Sequence, residues 1–173
     1  MIDEFDEIER FFRNIDTSIP KATAIYIIGG AALLRRGLKA ATKDIDLVVD
    51  SKNEFFNIQK ALTKQGFETV LPGREYSHMN LSQIFSKEDM RIDLFNKEVC
   101  NKFSLTKTMK SRGEKIMTLE HCTIHLCSNE DLFLFKTMTD REGDLEDCIS
   151  IATNQPLEWN LILEELQNQI KIT

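Results

Sequence analysis

No apolar run in this 173-residue chain approaches the roughly 20 residues that a membrane-spanning helix needs. The first ten residues, MIDEFDEIER, are acidic, unlike a secretory signal. Together these set the expectation of a soluble, cytoplasmic protein with no membrane partner. Paired cysteine motifs are missing as well. Cys100, Cys122, Cys127 and Cys148 are scattered with no CxxC, so buried reduced thiols are expected rather than a disulfide framework. The stretch HCTIHLC at 121–127 invites a zinc reading. On a strand, however, His121, His125 and Cys127 share one parity and Cys122 takes the other, so four ligands do not converge on a tetrahedral ion.

Positive charge is also scarce. A formal net charge of −6 argues against a surface built for non-specific binding of duplex DNA. One stretch departs from this balance: Lys97, Lys102, Lys107, Lys110, Arg112 and Lys115 stand against only Glu98 and Glu114. It reads either as a solvated loop and helix face or as an attractor for phosphates or an RNA end. No internal repeat, low-complexity segment or linker is present, and a hydrophobic fraction of 42% is enough for a core.

The chain is organised around residues 26–50, YIIGGAALLRRGLKAATKDIDLVVD. A short apolar run, Ile25 to Ile28, stops at Gly29-Gly30. A helix-like segment of Ala31, Ala32, Leu33 and Leu34 follows, and Gly37 can end it in a left-handed cap. Residues 44–49 alternate as a strand, which sends Asp44 and Asp46 to one side and Ile45, Leu47 and Val49 to the core. Two carboxylates opposite a buried apolar face offer oxygen ligands to a hard cation such as magnesium. A diglycine turn nearby lets a polyphosphate approach the main-chain amides. The pattern is that of a nucleotide-and-metal site.

Elsewhere, helical spacing over residues 3–14 carries Phe5, Ile8, Phe11 and Phe12 to one face. Ser51 with Glu54 forms a capping-box pattern for a helix that stops at Gly66. Short strands are expected at 67–70, 76–85 and 90–95, with turns at 71–74 and 87–89. In the last of these strands Asp93 points away from Ile92 and Leu94. If it pairs beside residues 44–49, a third acid joins the cluster; an ordinary solvent-facing position is the equal alternative. Residues 96–103 read as a helix and 106–114 as a loop. A hairpin is expected across 115–126, then helices from Ser128, over 144–152 and over 159–170. Strands alternating with helices early and helices alone late give an α/β (α+β) mixed sheet flanked by helices, with a helical C-terminal part. Residues 1–127 form the core and residues 128–173 a helical segment packed on it, as one compact domain.

Gly29-Gly30, Asp44-x-Asp46 and Asp93, in that order, resemble the nucleotidyltransferase superfamily, whose best-known member is DNA polymerase beta. Glu130-Asp131-Leu132, Lys136, Arg141, Asp144 and Asp147 resemble a small prokaryotic group related to abortive-infection antiphage toxins. The likeness covers residues 24–152. Gly30 departs from the serine that many polymerising members carry, which removes one hydroxyl contact to a phosphate. The resemblance implies transfer of a nucleoside monophosphate from an NTP to an acceptor hydroxyl on RNA, protein or a small molecule. Asp44 and Asp46 would hold two Mg2+ (or Mn2+) ions, and Asp93 would complete the coordination of the second ion and help take the acceptor proton. Gly29 and Gly30 would admit the phosphates, and Lys136 would lie near them, although a snorkelling helix lysine reads equally well. Arg141 with Asp144 also fits a simple helix pair. Without a cation, three clustered acids would repel one another. The alternative from another class is a catalytically silent nucleotide-binding or toxin–antitoxin module, in which a partner chain covers the site and the outer face of the last helix could meet it.

Overall fold

The computed structural model describes residues 1–71, 83–100, 103–138 and 142–172. Its elements in chain order are α1 (Phe5–Asp16), β1 (Thr23–Ile28), α2 (Gly29–Arg35), β2 (Asp44–Val49), α3 (Lys52–Lys64), β3 (Glu68–Val70), β4 (Gln83–Lys87) and β5 (Met90–Asn96). They continue with β6 (Glu98–Val99), β7 (Phe103–Ser104), α4 (Lys107–Arg112), β8 (Glu114–Thr118), β9 (Cys122–Leu126), α5 (Asn129–Lys136), α6 (Glu142–Asn154) and α7 (Trp159–Ile172). The expected mixed α/β sheet with a helical C-terminal part is what the chain forms. Among the described residues no helix is long and apolar enough to cross a membrane.

Seven strands make one sheet in the order β3-β4-β5-β2-β1-β9-β8, with β2 at its centre. β2 runs parallel to β5 and antiparallel to β1, and β1 runs parallel to β9. The register aligns Ile45 with Ile92, Leu47 with Leu94 and Ile27 with Leu47, so the centre of one face of the sheet is apolar. These side chains are wholly buried, and α3 packs across β1, β2 and β5 with Ile58, Ala61 and Leu62. The amphipathic face of α1 (Ile8, Phe11, Phe12, Ile15) is buried as its spacing predicts, against α2 and α3. On the opposite face α4 reaches Asp50 through Lys110, and Gly113 lies against the Tyr26 ring, which stacks on His125 at 4.7 Å.

Local signals explain most boundaries. Ser51 accepts from the Glu54 amide, although the Glu54 carboxylate reaches the amides of Asp50 and Ala24 rather than that of Ser51. Gly37 and Gly66 adopt left-handed φ of 69° and 87° and close Schellman caps, with Leu38 N–H donating to Leu33 and Phe67 N–H to Leu62. Ser128 caps α5.

Several expectations are corrected. Where a helix was expected, Glu98–Val99 (β6) and Phe103–Ser104 (β7) pair antiparallel, and Gln169 of α7 bonds both the amide and the carbonyl of Ser104. Residues 107–112 form α4, not a loop, capped by Thr106. The strand expected from residue 76 is described only from Gln83, and the turn at 71–74 lies outside the described residues beyond Leu71. α7 does not bury all its apolar residues: Ile162, Glu165 and Gln169 face inward while Leu163 and Ile170 are exposed.

A buried polar clamp explains that choice. Arg112 of α4 forks onto Asp131 of α5 (2.7 and 3.2 Å) and reaches Glu165 of α7 at 2.6 Å. Thr106 and Thr108 each donate to Glu165 at 2.7 Å. Burial pulls the Arg112 guanidinium pKa down, but its hydrogen bonds to both carboxylates outweigh that and leave the group firmly charged. Burial pushes the enclosed Asp131 carboxyl up; it pushes Glu165 up as well, but there the Thr106, Arg112 and Thr108 bonds together outweigh it and hold the carboxyl below its usual range. Arg112→Met strands two buried carboxylates and is expected to cost about 3–5 kcal/mol in urea unfolding.

Asp16, at the end of α1, accepts from the amides of Glu120, His121 and Cys122 and so pins the β8–β9 turn. Burial pushes its carboxyl up, but these hydrogen bonds outweigh the effect and hold it below the ordinary value. Asp16→Ala should therefore lose about 2–3 kcal/mol at neutral pH. A depressed folded pKa stabilises above the unfolded value and loses that benefit as pH falls through the folded one. The gap between wild type and Asp16→Ala should accordingly narrow below about pH 4, as read by urea unfolding at each pH.

Candidate active site

The parallel pairing of β2 with β5 builds the site. Asp44 stands opposite Arg91 and Asp46 opposite Asp93, so all four side chains rise from one face of adjacent strands. Asp93 thus joins Asp44 and Asp46 on their side of the sheet. Arg91 lies among them. Its Nε donates to Asp93 Oδ1 at 2.8 Å and its Nη2 to Oδ2 at 3.0 Å, and Nε lies 3.7 Å from Asp44 Oδ1. The Asp93 bond, helped by the charges of Asp44 and Asp46, raises the guanidinium pKa further above its ordinary value in spite of partial burial.

The diglycine sits where β1 turns into α2, with Ile28 paired to Asp46. Gly29 has φ 66°, and a Cβ there would overlap the Asp46 carboxylate. The first glycine is required because the acid packs directly on the backbone. Gly30 has a different reason: a Cβ there would run into the Thr42 hydroxyl, which donates to the Asp44 carbonyl. Ile2 holds Thr42 from the other side by two backbone bonds of 2.8 Å.

Two cavities meet at this point. The larger, about 420 Å³, is lined by Gly30, Lys39, Thr42, Asp44, Asp46 and Lys136 among others. The smaller, about 60 Å³, runs beneath Gly29 and Asp46 toward Phe95, Val99, Cys100 and Phe135. Asp46, Lys136 and Asp144 belong to both. Lys136 is no snorkelling lysine. Its side chain is only 11% exposed, and its ammonium donates to Asp144 at 2.8 Å and lies 2.7 Å from Asp147. Burial pulls its pKa down, but the two carboxylates more than restore it. Asp147 also accepts from Lys39. The sheet, the acids and the flanking cations now form one arrangement on α2, β2, β5, α5 and α6.

A family model described as "Nucleotidyltransferase of unknown function (DUF6036)" matches residues 3–172. The chain belongs to this nucleotidyltransferase family. It is similar to the crystal structure of ANT(2'')-Ia in complex with adenylyl-2''-tobramycin, with a TM-score of 0.60, 11% identity and coverage of 96% of this chain and 97% of that one. The solution structure of the antibiotic-resistance factor ANT(2'')-Ia gives a TM-score of 0.56, 12% identity and coverage of 95% and 88%. A putative nucleotidyltransferase, TM1012 from Thermotoga maritima, gives 0.54, 12% identity and coverage of 88% and 94%. At these identities the likeness is one of fold. No curated protein matches the chain.

In this nucleotidyltransferase the oxygen donors of Asp44 and Asp46, half-exposed beside the larger cavity, have the chemistry that a magnesium or manganese ion takes. Among the described residues no three His, Cys, Asp or Glu side chains converge into a ready-made metal cage; Asp93 is engaged by Arg91 instead. The zinc reading at 121–127 likewise finds no cluster, and all four cysteines are free and buried. The basic stretch is partly neutralised from within, Lys110 by Asp50 and Arg112 by Asp131 and Glu165, while Lys102 lies outside the described residues. Arg141 also lies outside them, and its expected helix partner Asp144 pairs with Lys136. Sequence reasoning missed Arg91, Lys39 and Thr42. Arg91 shares strand parity with Asp93, and that signal was available; Lys39 and Thr42 precede β2 in a segment without periodicity.

Gly29→Ala tests the packing at the turn. Forcing a side chain into the left-handed region costs about 1–2 kcal/mol, and the overlap with Asp46 adds to it. A lower melting temperature together with weaker Mn2+ binding is expected, measured by calorimetry on the same preparation.

Proposed function

We propose that the protein transfers a nucleoside monophosphate from a nucleoside triphosphate to an acceptor hydroxyl, with Asp44 and Asp46 as ligands of a divalent ion, magnesium or manganese. The observation that carries this reading is the β2–β5 register, which sets Asp44 and Asp46 beside Asp93, at the wall of a cavity lined also by Lys39, Lys43 and Lys136. A divalent ion bound there supplies charge stabilisation for an in-line phosphoryl displacement and lowers the pKa of a bound hydroxyl. The remaining work falls to the chain itself. Gly29 keeps the backbone close to Asp46, so the phosphates can approach the turn. Lys136, buried and charged, offers a compact cation to the β and γ phosphates once Asp144 and Asp147 yield it. Asp93 stands opposite Asp46, close to where an acceptor proton would leave. RNA, a protein side chain or a small polyhydroxyl molecule would serve as acceptor; the aminoglycoside adduct in the ANT(2'')-Ia crystal is an example of the last kind. A cytoplasmic setting suits both the NTP donor and the free thiols.

A second reading keeps the fold without turnover, as a nucleotide-binding or partner-covered module of the toxin–antitoxin type. Two observations favour it: Arg91 already occupies Asp93, and α7 exposes Trp159, Leu163 and Ile170 at helical spacing.

Incubation with each labelled NTP, Mn2+ or Mg2+, and total cell RNA and protein separates the two. Transfer predicts label in one macromolecule, falling at least about a hundredfold in folded Asp44→Asn and Asp46→Asn variants. A melting-temperature rise with Mg–NTP but no label in RNA, protein or small polyols would leave the module reading standing.

A further inference from the structure

The surplus of negative charge is not spread over the chain. Residues 1–141 carry 21 acids and 21 lysines or arginines, whereas residues 142–173 carry seven acids and one base, Lys171. The whole net charge of −6 therefore belongs to the segment of α6 and α7. Three of its acids face inward onto partners already described, Asp144 and Asp147 onto Lys136 and Glu165 onto Arg112. The other four, Glu142, Glu146, Glu158 and Glu164, are exposed.

Apolar exposure gathers in the same place. Of nine large apolar side chains exposed among the described residues, five lie in these two helices. On α6, Glu142, Leu145, Glu146 and Ile149 follow the i, i+3, i+4, i+7 spacing of a single helix face. On α7, Trp159 and Leu163 stand one turn apart, with Glu158 and Glu164 next to them in the chain. Leu145, Ile149, Trp159 and Leu163 are 53–63% exposed, far from the buried fate of most such side chains here. Both helices lean on α5 at one residue. The Phe133 ring meets Trp159 edge-on at 5.5 Å, and the Phe133 carbonyl lies 3.9 Å from the sulfur of Cys148, the residue before Ile149.

Charge selects the occupant. A second copy would bring the same exposed acids against one another, and like charges across an interface are costly. The anionic surface of a bilayer repels them too. A helix with an apolar stripe bordered by lysine and arginine answers both features at once, in the manner of amphipathic-helix recognition.

We infer that the outer faces of α6 and α7 are the docking surface for a basic amphipathic helix of another protein, with Trp159 and Leu163 as apolar anchors and Glu146 and Glu164 facing its cations. This goes beyond the transfer reading and does not depend on it, since none of these side chains lines the two cavities beside Asp46.

Trp159 is the one tryptophan of the chain, so its emission reports on this surface directly. The test titrates the full chain, at physiological salt, with a synthetic helical peptide carrying leucine at i, i+3, i+4 and i+7 and lysine elsewhere. A saturating blue shift of the Trp159 emission is expected. A peptide of the same composition with its leucines dispersed around the helix, and one with glutamate in place of lysine, should each bind at least about tenfold more weakly. Leu163→Ser and Ile149→Ser should each weaken binding by about fivefold or more, and Glu146→Lys combined with Glu164→Lys by about tenfold. These positions are exposed, so the variants should melt close to wild type. Equal binding of either control peptide, an unmoved Trp159 emission, or variants that bind as wild type does would each overturn the inference. So would a dimer in sedimentation that Leu163→Ser dissolves, or the same blue shift with phosphatidylserine vesicles, because a second copy or a lipid surface would then be the occupant.

Discussion

The structure depends on the parallel pairing of the central strand with β5. A slip of one residue in that register would turn Asp93 into the apolar layer and bring Ile92 or Leu94 out beside Asp46. The apolar face forbids the slip, because Ile45, Leu47, Ile92 and Leu94 are all fully buried beneath α3. Core packing therefore sets the geometry of the acids. Hydrophobic burial on one side of two strands aligns charged groups on the other, and repulsion among those charges is offset by Arg91 rather than relieved by moving the strands.

The helical C-terminal part is held by different means. Its attachment relies on Arg112, Asp131 and Glu165, three enclosed charged groups from three helices, and on the Gln169 amide bonded to Ser104. Such contacts fix orientation more than they add stability, since each ion has to leave water. They also join α4, α5 and α7 into one block, so that Lys136 at the end of α5 reaches the cavity beside Asp46 from a defined direction.

How much of this was legible in the sequence follows from the range of each interaction. α1, α3, β2 and β5 could be read because their signals are local: apolar spacing, a capping serine, a terminal glycine. Strand parity put Asp44 and Asp46 on one side of their strand, whereas bringing Asp93 beside them needed the β2–β5 pairing. The β6–β7 hairpin and α4 could not. Two-residue strands and a six-residue helix carry too little periodicity, and they exist because Gln169 and Glu165 bond to them from about 60 residues away. α7 could be read as a helix, but not which face it buries, because the partners waiting for it were a threonine pair, an arginine and a backbone amide. Lys136, Asp144 and Asp147 were singled out by resemblance. That the two acids would enclose the lysine needed the fold.

The four sequestered thiols have a practical use. Burial pushes Cys122, Cys127 and Cys148 away from the reactive thiolate form, and Cys100 is buried beside the smaller cavity. They are distributed through the molecule, Cys122 in the sheet, Cys127 between sheet and helix, Cys148 in α6 and Cys100 at the wall of the smaller cavity. Alkylation by a maleimide then requires each region to breathe, and the modification rate at each cysteine becomes an internal clock for the opening of its own layer, obtained without introducing any new cysteine.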